Sequence, residues 1–141
     1  MGECWLAGGK IIRFVAVEGN MDYEKLKDIT VLYVEDEDMM RESVVMLLKR
    51  RFKKVLVAAN GLEAIDIYKA ENPDIVITDL QMPVMDGMEL ARQIRALGST
   101  PIVVVSAFND DSHQVPEANG RLLKPIRKND LFDIVLDCLS A

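Results

Sequence analysis

The stretch DIVITDLQMPVMDGMELARQIRALG, residues 74–98, carries the reading on which the fold depends. Its first five residues, DIVIT, are a short apolar, β-branched run of strand length. Asp79 follows at the tip, then a polar loop holding Met82, Pro83 and Met85. Asp86 stands where a helix N-cap is expected, with Glu89 three residues on, and Gly98 closes the helical pattern. Strand, carboxylate, loop and helix together make one β/α unit.

The same unit recurs on both sides. Ile29–Val34 (ITVLYV) predicts a strand, and residues 37–51 a helix with Met40, Val44, Leu47 and Leu48 at helical spacing. Val55–Ala59 predicts a second strand. Asn60 caps the next helix, Glu63 completes a capping box, and Leu62, Ile65 and Tyr68 are expected to face inward until Asn72-Pro73 ends it. Beyond the central unit come a fourth strand, Pro101–Val105, a short fifth, Arg121–Leu123, and a helix over 128–140 on Leu131, Ile134, Val135 and Leu139. Apolar runs of this kind suit strands buried on both faces, hence a parallel sheet with helices on each side. The fold class is α/β: a doubly wound five-stranded parallel sheet of order 2-1-3-4-5. Ligands of such sheets bind at strand carboxyl ends, where the winding reverses. Glu35-Asp36 and Asp79 fall there.

The 141 residues argue for one core, and 28% charged with 50% hydrophobic residues is an ordinary globular composition. A net charge of −6 gives no footprint for nucleic acid or an anionic membrane. Cys4 and Cys138 lack metal-ligand spacing, and the apolar runs fall short of the ~20 residues of a membrane span. With no secretory pattern at the N-terminus, a reduced, cytoplasmic setting is expected.

Glu35 and Asp36 end the first strand and Asp79 the third. Carboxylates placed together repel unless a cation joins them or one takes a proton. Mg²⁺, a hard ion that keeps several waters, suits so few carboxylates. The fourth strand ends in Ser106-Ala107 and the fifth in Lys124-Pro125, adding a hydroxyl donor and an ammonium. Carboxylate, metal, hydroxyl and lysine in one crevice make a site for a phosphoryl group. Asp79 is then the nucleophile, while Ser106 and Lys124 hold phosphoryl oxygens.

Residues 29–140 resemble a response-regulator receiver domain, the CheY-like module of two-component signalling. The resemblance rests on VEDED (34–38), ITDLQMPVMDG (77–87), VVVSAF (103–108) and LLKPI (122–126), in the family's order. It implies a flavodoxin-like fold and a phosphoacceptor that is not itself an enzyme beyond its own phosphorylation and dephosphorylation. Asp79 would receive the group from a histidine kinase or histidine phosphotransfer protein. Asp36, Asp79 and the Gln81 backbone carbonyl would ligate Mg²⁺ with help from Glu35. The Lys124-Pro125 bond would be cis, and Gln81 and Phe108 would tune hydrolysis. An unknown downstream protein would read the state.

Two departures stand out. The position three before the lysine, usually an aromatic switch partner to Ser106, holds Arg121. The segment between Ser106 and Lys124 is short, polar and broken by Pro116, so the fourth helix is expected to be one or two turns at most, or absent. These departures favour an alternative, a receiver-like docking module that works without phosphorylation; the retained Asp36, Asp79, Ser106 and Lys124 oppose it. A small phosphatase is disfavoured by Met40 after the DxD of residues 36–38, and a flavodoxin by the lack of a hydroxyl- and Gly-rich loop after the first strand. His113, a lone loop histidine, is expected to be solvated, which puts the donor histidine on another protein. Met82 and Met85 either pack the loop down or grip a partner, and one of Met39 and Met40 is expected in the core.

Residues 1–28 form an N-terminal extension to a receiver domain at 29–141. Ile11–Val17 has the composition of an extra edge strand, but no turn to the sheet follows it. Glu18-Gly19 is codable by a purine-rich stretch just ahead of Met21. The expectation is therefore translation from Met21, with residues 1–20 misassigned upstream sequence.

Overall fold

The computed structural model describes residues 2–5, 11–14, 23–107 and 114–140. Two sheets are present among them. The smaller pairs β1 (Gly2–Trp5) antiparallel with β2 (Ile11–Phe14), and β1 runs beside the last strand of the larger sheet. Residues 11–14 thus form a strand, but one that pairs within the extension and not with the main sheet.

The larger sheet contains β3 (Thr30–Val34), β4 (Lys54–Ala58), β5 (Ile75–Asp79), β6 (Ile102–Ser106) and β7 (Gly120–Leu123), all parallel, in the spatial order β4-β3-β5-β6-β7. Counted from β3, this is the expected 2-1-3-4-5. Its helices are α1 (Asp38–Lys49), α2 (Gly61–Glu71), α3 (Gly87–Leu97) and α4 (Lys128–Ser140). Between β6 and β7 the described residues 114–119 contain a turn at Pro116-Glu117 and no helix; Phe108 and His113 lie outside the described residues.

Period-two alternation divides the core cleanly. Val31, Tyr33, Ile75, Ile77, Val103 and Val105 face α1 and α4, meeting Val44, Leu48, Leu131 and Val135. Leu32, Val34, Val76, Ile102 and Val104 face α2 and α3, meeting Ile65, Tyr68, Leu90 and Ile94. A fully buried aliphatic side chain contributes about 1.5–3 kcal/mol relative to exposure, so these two layers dominate the stability. The edge strand β4 is only half-buried at Val55, Leu56 and Val57. Leu62 is a correction: it is 54% exposed, and Ala64, Ile65 and Tyr68 form the inner face of α2 in its place. At about 100° per residue, Leu62 lies roughly 120° from Tyr68 and roughly 160° from Ala64 around α2, off the buried stripe.

The helix signals act largely as read. The Asn60 side chain accepts from Glu63 N–H at 2.9 Å, and Glu63 Oε1 accepts from Ala59 N–H, one residue before the cap. Asp86 accepts from Glu89 N–H at 2.9 Å, while the Glu89 carboxylate turns instead to Arg92 and Gln93. Two tertiary ties hold the ends. A 3₁₀ helix, Tyr23–Asp28, inserts the fully buried Leu26 and donates from Tyr23 Oη to Asp133 at 2.7 Å, with the Tyr23 ring edge-on to Phe132. Arg95 donates to the carbonyls of Gly98, Thr100 and Glu117 and to Asn119 Oδ1, which also accepts from Ile102 N–H. That fork pins the return leg of the β6–β7 segment to the end of α3.

Candidate functional site

Register alone brings the site residues together. Val34 pairs with Thr78, Asp79 with Val105, and Ser106 with Leu123. Glu35, Asp79, Ser106 and Lys124 therefore all emerge within about one residue of a common line across the carboxyl edge. They surround an open crevice of about 400 Å³, to which Asp36, Gln81 and Ala107 also contribute.

Lys124 Nζ lies 3.1 Å from Asp79 Oδ1 and 3.8 Å from Glu35 Oε1. Glu35 is buried, accepts from Glu37 N–H at 3.2 Å, and is the least exposed carboxylate of the set. Asp36 is exposed. One carboxylate oxygen from each of Glu35, Asp36 and Asp79 falls within 4.8 Å of the others, so the three could hold one cation.

The electrostatics are those of a charge-loaded site. Burial pushes the Glu35 carboxyl pKa up, and the neighbouring Asp79 adds to the effect. Burial likewise raises Asp79, although Lys124 opposes it. Burial alone would lower the Lys124 ammonium, but its hydrogen bond and attraction to Asp79, joined by Glu35, carry it above the usual lysine value. The Lys124 ammonium shares the crevice with four acidic residues, Glu35, Asp36, Glu37 and Asp79, and the excess negative charge fits a divalent cation with oxygen ligands.

The backbone around Asp79 explains the loop sequence. Gly87 N–H donates to the Leu80 carbonyl at 2.8 Å, folding the loop back on the strand end. A Cβ at Gly87 would sit 2.4 Å from the Asp79 carbonyl oxygen and 2.9 Å from Leu80 Cα, so only glycine fits. Met82 and Met85 pack against the α2–α3 side of the core, and a Cβ at Gly61 would collide with Met85. Val84, 77% exposed at the loop tip, has φ +72°, a left-handed conformation unusual for a β-branched residue. The Lys124–Pro125 peptide is cis.

Arg41 escaped the sequence reading, and Arg121, read there only as a departure from the switch aromatic, makes a contact the reading did not foresee. Arg41 Nη1 donates to the carbonyls of Glu35 and Asp36 at 2.9 and 3.4 Å, fixing the acidic turn from α1. Arg121 Nη2 donates to Ser106 Oγ at 3.4 Å, giving the departure at position 121 a physical partner inside the site. Met40 packs against the core while Met39 is 77% exposed.

A family model described as the response regulator receiver domain matches residues 31–136. The chain belongs to that family. This receiver domain is 29% identical over 116 residues to the chemotaxis protein CheY of Halobacterium salinarum, covering 79% of the chain and 97% of that protein. It is 36% identical over 116 residues to the autoinducer 1 sensor kinase/phosphatase LuxN of Vibrio harveyi, covering 79% of the chain but 14% of LuxN. The chain also spans less than half the length of the transcriptional regulatory proteins AfsQ1 and CseB of Streptomyces coelicolor that it matches. Among solved structures, a chain of the CheX–CheY–BeF3–Mg²⁺ complex from Borrelia burgdorferi superposes with a TM-score of 0.70 at 25% identity, covering 77% of this receiver domain and 87% of that chain. No helix among the described residues is long and apolar enough to cross a membrane.

Proposed function

We propose that this receiver domain accepts a phosphoryl group on Asp79 from a phosphohistidine of a histidine kinase or histidine phosphotransfer protein, and that the change alters binding of a downstream protein. The carrying observation is the ion pair of Lys124 with Asp79 at 3.1 Å, in a crevice lined also by Glu35, Asp36, Glu37 and the Ser106 hydroxyl. An Asp79 carboxylate oxygen attacks phosphorus. The new P–O bond forms as the bond from phosphorus to the donor imidazole nitrogen breaks, and the electron pair leaves with the imidazole, which is protonated by solvent. Lys124 follows the charge from the carboxylate to the phosphoryl oxygens, and Ser106 donates its O–H to one of them. Glu35, Asp36, Asp79 and the Gln81 carbonyl would hold Mg²⁺, which supplies positive charge against the phosphoryl oxygens. Return of the group to water ends the signal, with Gln81 at the rim.

Support comes from the charge imbalance at the crevice and from the beryllium fluoride and magnesium named with the Borrelia relative. The sensor kinase among the relatives supports a histidine-kinase donor. The test is intact-protein mass after incubation with acetyl phosphate and Mg²⁺. A gain of one phosphoryl group is expected, abolished by EDTA and by Asp79→Asn. No gain, or a gain that survives in Asp79→Asn, would overturn the reading. Partner binding unaffected by Asp79→Asn would favour the phosphorylation-independent docking module.

A further inference from the structure

We propose that Arg121 is a positioning residue that sets the direction of the Ser106 hydroxyl during phosphoryl transfer, an inference that rests on the Asp79 reading above. The placement follows from the sheet. Arg121 pairs with Val104, and Ser106 lies two residues beyond Val104 on the same strand. Residues two apart share a face, so Arg121 and Ser106 emerge on the same side of neighbouring strands. The guanidinium reaches along that face to Ser106 Oγ at 3.4 Å. Ser106 is 2% exposed, and it lines the crevice with Asp79 and Lys124.

The chemistry gives this contact a direction. A guanidinium only donates, so Ser106 Oγ must act as its acceptor. The serine can then meet a phosphoryl oxygen only with its own O–H, the polarity the transfer needs. A charged donor also polarises the hydroxyl it binds, strengthening the hydrogen bond that hydroxyl gives onward. The 3.4 Å separation is long for a resting contact, and such contacts tighten as charge develops at the reacting centre. Lys124 works differently, as a point charge on Asp79 itself, whereas Arg121 acts through Ser106.

The experiment is a double-mutant cycle on the initial rate of acyl-phosphate formation, with acetyl phosphate and Mg²⁺ as the probes. Arg121→Met and Ser106→Ala are each expected to slow the wild-type rate about tenfold or more, the order expected for one hydrogen bond to a charged group. The double variant is expected to be no slower than Ser106→Ala alone, and Arg121→Gln, which keeps a donor, to recover part of the rate. A merely structural role for Arg121 would slow both backgrounds equally. Melting curves report folding, and Arg121→Ala takes the same place in the cycle if the methionine variant does not fold. Arg121→Met at the wild-type rate, or an equal slowing in the Ser106→Ala background, overturns the role of Arg121 while leaving Asp79 as acceptor. A wild-type chain that takes up no phosphoryl group overturns both.

Discussion

Replacing Lys124 by methionine tests how the acidic crevice is held together before any metal binds. The ammonium lies 3.1 Å from Asp79 and 3.8 Å from Glu35. At an effective dielectric of about 20, those separations correspond to roughly 5 and roughly 4 kcal/mol of attraction. Glu35 and Asp79, within 4.8 Å of each other, would be left with roughly 3.5 kcal/mol of repulsion on the same scale. These gross figures shrink on two counts. Lys124 is 25% exposed, so water screens it, and the variant no longer has to desolvate an ammonium. Breaking a fully buried pair costs about 3–5 kcal/mol, and the exposure here brings the expected loss to about 2 kcal/mol. For a chain of this size that is about 6–10 °C in melting temperature.

The dependence on pH has a definite sign. Burial raises the folded-state pKa of both Glu35 and Asp79, so the native state holds more protons than the unfolded chain between the two sets of values. Stability contributed by these carboxyls therefore falls as pH rises through that interval. Removing Lys124 extends the interval upward, because the ammonium was opposing the shift in both groups. Thermal melts by circular dichroism in EDTA should show the deficit at neutral pH and show it closing as the buffer is made acidic. Saturating Mg²⁺ should close it at neutral pH as well. A Lys124→Met variant that melts at or above the wild-type temperature in EDTA, or whose deficit ignores both acid and Mg²⁺, refutes this account of the crevice.

Val84→Gly should raise stability by about 0.5–1 kcal/mol in urea titration, since relief of about 1–2 kcal/mol of left-handed strain exceeds the extra entropy glycine loses on folding; an unchanged or lower midpoint would count against strain at the loop tip. Gly87→Ala should lose about 2 kcal/mol or more, because its Cβ would meet backbone atoms of Asp79 and Leu80 that cannot rotate away; denaturation midpoints measure it. Tyr23, raised to about 12 by burial and by its bond to Asp133, is neutral when protonated, so its contribution is fully present below the ordinary tyrosine value of about 10. That contribution should fade as pH rises from there towards about 12, and Tyr23→Phe should flatten this part of the stability profile.

Much of this could be read locally because the signals are local. Five apolar runs and the caps at Asn60 and Asp86 give the β/α alternation, and the acids, hydroxyl and lysine fall at run ends where a parallel sheet must gather them. Residues that act across the fold were hidden for the complementary reason. Tyr23 bonds Asp133 across 110 positions, and Arg95 reaches Asn119 across 24, leaving no period in the sequence. Residues 23–28 are mostly polar in sequence, yet Leu26 among them is fully buried in the core layer that holds α4. Leu62 misled because it stands three before Ile65, while the buried stripe is centred on Ala64, Ile65 and Tyr68. Arg41 pairs with Asp38 on its own helix, and its reach to the site was missed because its partners there are backbone carbonyls, which any residue supplies.

Arg121 shows where pattern and chemistry part. Against the usual aromatic the position is a departure, and it weakens the expectation of a conventional signal. In the sheet, the same side chain lies one strand from Ser106 and on its face, with a donor close enough to reach its hydroxyl. An aromatic ring at this point could respond to Ser106 by packing; a guanidinium can respond only by hydrogen bonding and charge. Under the proposal above, position 121 would act on the acceptor chemistry through Ser106.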